Sequence, residues 1–189
     1  AVLLGLEILV LSACFRLFDG GTDWAFGSFV PVFLQVLYAI GASFVLLVPL
    51  RRLPAAVQVV IAAVLLVACD LMHGRAPDAG PGRLAGLLLV DAGVWSRSGE
   101  GLDAIVLYPA LRWFAVMLLG HAVGRVLARG RIAPRVWLVV GLLSLAAFAV
   151  LRLLDGFGNL GMHRADGSVL AWLRCSKYTQ SLTFLTMEL

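Results

Sequence analysis

Runs of apolar residues close to twenty long recur along the chain, and they constrain its fold more than any other feature. The stretch 55–72 holds no charge before Asp70, and 136–154 holds only Arg152. A helix of about 20 apolar residues crosses a hydrocarbon core roughly 30 Å thick. Of the 189 residues, 61% are hydrophobic and 14% are charged, whereas a soluble domain keeps roughly a quarter of its residues charged. There is too little polar surface to coat a globule in water, so the solvent is lipid. Inside lipid the backbone must satisfy its own hydrogen bonds, which selects helices. The expected fold is all-α, a polytopic transmembrane helix bundle of about six spans in a single membrane domain.

The spans are expected over about 1–18, 29–50, 55–72, 104–127, 136–154 and 178–189, the last of them truncated. Pro31 fits the first turn of the second span, and Asp103 is an N-cap candidate for the fourth. Asp19-Gly20-Gly21 and Asp155-Gly156 end two others. The longest connection, 74–103, is rich in Gly, Pro, Asp and Arg. Its apolar stretch 84–94 is too short to cross and is expected to be interfacial or re-entrant. Ser168 is positioned to cap a short helix reaching Arg174. Ala1 opens directly into an apolar run and Leu189 stops inside another, as in an internal piece of a longer polypeptide.

Orientation follows from the loops. The turns after the second and fourth spans contain Arg51, Arg52, Arg125, Arg129, Arg131 and Arg135 and no acid, while all eleven acids but Glu7 and Glu188 belong to the other face or its helix ends. Short, purely basic loops mark the cytoplasmic side. The net charge of +4 is thereby explained by topology. The basic residues form no continuous stripe, and nucleic acid is excluded as a partner. The expected partner is the lipid bilayer, a homo-oligomer staying open, and the expected location is a bacterial inner membrane. Cys14, Cys69 and Cys175 stand far apart without zinc spacing; they read as small packing residues, one disulfide among them staying open. No metal site is expected, and no phosphate loop, HExxH or GxSxG pattern occurs.

Charges inside spans are expensive and usually face a bundle interior or a wet cavity. Glu7 lies inside the first span and Arg112 about two turns into the fourth. Asp70 and His73 close the third span with a spacing that shares a helix face. A histidine oriented by a carboxylate suits a general base near neutral pH, so Asp70 and His73 are the catalytic candidates. Polar helix ends at headgroup level are the other reading. Arg152 and Asp155 repeat the spacing and read as a structural pair. His121, between Gly120 and Gly124, fits a small-residue packing face. Trp24, Trp95 and Trp172 read as aromatic-belt residues, with Trp137 as an interfacial anchor.

The order of segments resembles a known family. Leu4-Gly5-Leu6-Glu7-Ile8-Leu9, followed by Phe33-Leu34-Gln35-Val36-Leu37-Tyr38-Ala39-Ile40-Gly41, is similar to a paired pattern in bacterial membrane proteins of the heparan-α-glucosaminide N-acetyltransferase family. Leu107-Tyr108-Pro109-Ala110-Leu111-Arg112-Trp113 through Gly120 resembles its Y-P-L-L-P-W helix, and Ser176-Lys177-Tyr178-Thr179-Gln180-Ser181 through Met187 its T-K-Y-P-P-S signature. The chain departs from the family at Thr179-Gln180, in place of Pro-Pro, and at Arg112, in place of Pro. Cys69-Asp70-Leu71-Met72-His73 stands where the family has H-N-L-L-D.

The resemblance implies a transmembrane acyltransferase with acetyl-CoA as co-substrate and an amino-sugar or cell-envelope glycan as acceptor. The family's opening helices, with the acyl-accepting histidine, would lie before Ala1. Lys177 and Tyr178 are then the donors for a developing oxyanion. With Glu7 and Arg112 they make up the expected substrate-binding set. The competing class is non-catalytic: a transporter or structural membrane subunit in which Glu7 and Arg112 line a path or form a buried pair. No internal repeat is evident, which speaks against a common transporter design.

Overall fold

The computed structural model describes residue 10 and residues 32–78, 80–96, 104–130, 133–176 and 180–188. The described residues are mostly helical, with seven helices and one small sheet. The chain divides into two compact units, one made of residues 1–49 and 74–114, the other of residues 50–73 and 115–189.

The first unit holds strand β1 (Val32–Leu34), helix α1 (Val36–Leu50) up to Pro49, helix α3 (Gly80–Leu89) and strands β2 (Gly93–Trp95) and β3 (Ala104–Val106). It also takes the first turn of α4 (Ala110–Arg129). The sheet order is β1-β3-β2. β1 runs parallel to β3, with Val32 opposite Ala104 and Leu34 opposite Val106. β2 runs antiparallel to β3, with Gly93 opposite Val106 and Trp95 opposite Ala104. Leu87, Val90, Val106 and Phe114 are buried in its core. Tyr38 ties α1 to α3 by donating its hydroxyl to Leu88 O at 3.0 Å. At Gly86 a Cβ would fall 2.5 Å from Ala76 Cβ, so α3 can lie against the preceding loop only with glycine there.

The second unit holds α2 (Ala55–Met72), the remainder of α4, α5 (Pro134–Leu154), α6 (Val169–Leu173) and α7 (Leu182–Glu188). Pro134 opens α5 at a position where a missing N–H costs nothing. Asp155 ends it in the left-handed region at φ 48°, its N–H donating to Leu151 O. α7 packs against α5 and against α2.

Three helices, α2, α4 and α5, are long and apolar enough to cross a membrane. Leu138, Leu142, Leu143 and Leu145 of α5 and Val60 and Val64 of α2 are exposed. Such a surface is stable only against lipid. The protein is an integral membrane protein on these grounds. Six spans are not reached among the described residues. α1, at 15 residues, rises about 22 Å at 1.5 Å per residue and falls short of the hydrocarbon thickness.

The sequence expectation also misplaced two helix starts. The helix expected from residue 29 begins at Val36, with β1 in its place. The one expected from Ala104 begins at Ala110, with Ala104-Ile105-Val106 forming β3. A β-branched pair suits a strand, and Pro109 pushes Tyr108 out of the helical region. Arg112 is consequently the third residue of α4 rather than two turns into a span. The expected interfacial stretch 84–94 resolves into most of α3 followed by β2.

Candidate functional site

A dense polar arrangement among the described residues of the second unit lies where α5 ends. Arg152 has no exposed surface, yet each nitrogen of its guanidinium finds an acceptor. Nε donates to Trp172 O at 2.9 Å, Nη1 to Asn159 Oδ1 at 2.7 Å and to Met162 O at 3.1 Å, and Nη2 to Ala171 O. Asn159 in turn donates to Leu151 O at 3.1 Å. The pair foreseen between Arg152 and Asp155 exists at 4.0 Å, but the carbonyls and Asn159 are the closer partners. Asp155 looks the other way: its carboxylate accepts Arg164 N–H at 3.0 and 3.1 Å and pairs with Arg164 Nε at 3.7 Å. His163 donates from Nδ1 to Asp155 O at 2.6 Å. The Arg164 guanidinium stands 5.1 Å over the Trp172 ring, a cation–π contact.

Beside this knot, α7 is locked onto the turn after α5. Thr183 donates both its N–H and its hydroxyl to Gly158 O, at 3.1 and 3.2 Å. Ser181 Oγ lies 2.8 Å from Thr183 Oγ1 and accepts Phe184 N–H at 3.0 Å, capping the helix start. Gly158 sits at φ +88°, and a Cβ there would come 3.0 Å from Leu151 Cδ2. A substitution at Gly158 would meet both a left-handed backbone and an occupied volume. Ser181 N–H donates to Ser176 O at 3.2 Å. The residues flanking Lys177 and Tyr178 are therefore held against the end of α5.

Of the residues foreseen for chemistry, Glu7, Lys177 and Tyr178 lie outside the described residues. Asp70 is in the last turn of α2 and half-buried. His73, also half-buried, is the first residue past the helix, with φ −55° and ψ 132°. The shared helical face thus ends at Met72, and the imidazole is set by extended backbone. Both belong to the second unit. Arg112, in the first unit, is fully buried. In that unit Asp91, also buried, accepts Gly74 N–H at 3.2 and 3.4 Å.

The sequence reading passed over Gln58, a lone amide in an apolar helix. Gln58 is fully buried and donates from Nε2 to Leu50 O at 2.9 Å. Its Oε1 can only accept, so His121 Nδ1, 3.0 Å away, donates to it. One turn on, Arg125 donates to Arg51 O at 3.2 Å and to Leu53 O. The packing face expected around His121 is not realised among the described residues: a Cβ at Gly120 or Gly124 meets nothing within 4 Å. Cys69 is buried, and neither it nor Cys175 forms a disulfide. Among the described residues no group of three or more His, Cys, Asp or Glu side chains is placed to hold a metal.

In the loop between α5 and α6, Asp166 is fully exposed. The Ser168 hydroxyl, and then the Ser168 N–H at 2.8 Å, hold its carboxyl below the usual range. Ser168 Oγ meanwhile accepts Ala171 N–H at 3.1 Å, capping α6. Because the folded pKa is the lower one, this contribution is complete above the ordinary carboxylate pKa of about 4 and is lost as pH falls through the folded value. Amide exchange at Ala171 and Trp172, corrected for its intrinsic rate, should stay constant from pH 7 to about 5 and quicken below about 4. In Asp166→Asn the step should vanish; a step that persists would place the titration elsewhere.

With this geometry in place the chain can be compared with known proteins. A family model described as heparan-alpha-glucosaminide N-acetyltransferase, catalytic, matches residues 6–154. The chain belongs to this family. No curated protein and no solved structure matches it. The family assignment marks an acyltransferase-like membrane protein from a family that in general uses acetyl-CoA. The match closes at the last residue of α5, so Arg152 falls inside it while Asn159, Met162, Ala171 and Trp172 lie beyond. The signature-like segment from Ser176 also lies beyond.

Proposed function

We propose that the chain forms part of a membrane-bound N- or O-acyltransferase that passes acetyl from acetyl-CoA to an amino-sugar or glycan of the cell envelope, in a bacterial inner membrane. The family match over residues 6–154, on a chain with three span-length apolar helices, carries this reading. The transfer breaks the thioester C–S bond and forms a C–N or C–O bond to the acceptor. The acceptor's proton is taken by a base and passed to the departing thiolate. His73 is the base and Asp70 the carboxylate that orients it, supported by their common place at the end of α2. Lys177 and Tyr178 supply donors to the tetrahedral oxyanion, supported by the anchoring of Ser176 and Ser181 on either side. Glu7 and Arg112 hold the acceptor. The acid-free turns carrying Arg51, Arg52 and Arg129 face the cytoplasm, where their exposed guanidinium groups meet the CoA phosphates. Arg125 fixes the first of these turns through its carbonyls.

The test is incubation of the purified, reconstituted protein with acetyl-CoA labelled in the acetyl group and glucosamine as probe acceptor. Label should appear on the protein or on the sugar. Label on neither, at concentrations where acetyl-CoA binds, would favour the transport or structural role.

A further inference from the structure

Helix α6 presents an apolar face that no described residue of the second unit covers. Val169 is 74% exposed, Leu170 80% and Leu173 52%. A five-residue helix has no stability of its own in water, yet this one is held firmly. Ser168 caps its start, and Arg152 takes the carbonyls of Ala171 and Trp172 at its end. Those carbonyls are the ones a helix leaves without intrahelical partners. In water they would need no help. Near hydrocarbon they would be costly if unpaired, and a buried arginine satisfies both.

Position along the bilayer normal is fixed by the same residue. Arg152 lies in the last turn of α5, so α6 is held level with the end of a span-length helix. The last residues of that helix, Leu153 and Leu154, are 61% and 69% exposed and face lipid by the argument given for the rest of α5. Exposed apolar residues thus stand both at the end of α5 and on α6, and Arg152 ties the two together. The polar groups nearby have the character of a headgroup layer. Arg164 stacks on the half-buried Trp172, and His163 and Arg174 are exposed. Cationic side chains with apolar stems and a tryptophan between them suit the phosphate level.

We propose that α6 lies in the membrane plane at the boundary between headgroups and acyl chains, with lipid as the partner of Val169, Leu170 and Leu173. α6 is on this account an interfacial element, set apart from the water-exposed loop that leads into it.

The proposal is tested by electron paramagnetic resonance on the full protein reconstituted in vesicles of phosphatidylcholine and phosphatidylglycerol. A spin label is placed at Leu170→Cys, in a background with Cys14, Cys69 and Cys175 replaced by alanine. Collision rates with oxygen, which concentrates in acyl chains, and with a water-soluble nickel chelate are compared. At position 170 oxygen should dominate, whereas a label at Ala165→Cys, in the exposed loop, should favour nickel. Nickel dominance at 170 would overturn the proposal by placing α6 in water. Low collision with both reagents would overturn it by showing that protein, from this chain or a second copy, covers the face. Should Leu170→Cys fail to fold, Val169→Cys reports on the same face under the same criteria. The outcome does not depend on any acyltransferase activity.

Discussion

Replacing Arg152 by lysine should unfold the second unit at markedly lower temperature, although the charge is kept. The guanidinium reaches four acceptors in different directions: Trp172 O, Asn159 Oδ1, Met162 O and Ala171 O. An ammonium is a point donor on a flexible stem and cannot span that set. Each buried carbonyl left without a donor costs about 1–3 kcal/mol, and disrupting a buried charged network costs roughly 3–5 kcal/mol. Against a net stability of about 5–15 kcal/mol that is a large fraction. At roughly 2–4 °C per kcal/mol for a chain of this size, Tm measured in detergent should fall by about 6–20 °C. Arg152→Met should fall comparably. An unchanged Tm in both would mean that water reaches the carbonyls and that the knot contributes nothing to stability.

The second large effect concerns His73. Under the proposed function, His73→Ala should reduce acetyl transfer to glucosamine by about 10²–10⁴-fold, the usual worth of a positioned base. Expression and Tm should hardly move, because His73 is only half-buried and lies past the last residue of α2. Asp70→Asn should lower the rate in the same direction while leaving acetyl-CoA binding intact. Transfer at the original rate in His73→Ala would remove the base assignment and leave the family membership untouched.

These two residues also show what could be read from the sequence. Apolar run length marked α2 over 55–72 and α5 to within two residues, and Asp155-Gly156 and Ser168 were recognisable as a helix end and a helix start. Such features are local: a run of apolar side chains, a left-handed residue, a hydroxyl before a helix. The Arg152–Asp155 spacing was visible as well, but its main partners were not. The carbonyls of Met162, Ala171 and Trp172 carry no mark in a side-chain code, and only the path of the backbone brings them to one guanidinium. The strands failed for a related reason. Three-residue segments have no usable period, and β1 and β3 make sense only as a pair distant in sequence. Pro109, however, was a readable sign that no helix runs through from Ala104. Gln58 was readable too, as a polar residue in an otherwise greasy helix that required a partner.

The parallel pairing of β1 with β3 has a consequence for how the chain is made. The partners Val32 and Ala104 are separated by about seventy residues, including α1, α2 and α3. At ribosomal speeds of roughly 5–20 residues per second, β1 leaves the exit tunnel several seconds before β3 exists. Throughout that interval its backbone donors and acceptors form an open edge, prone to wrong partners. The three residues wait unpaired while α2 enters the bilayer, and a stall in translation before Ala104 should expose them to proteases.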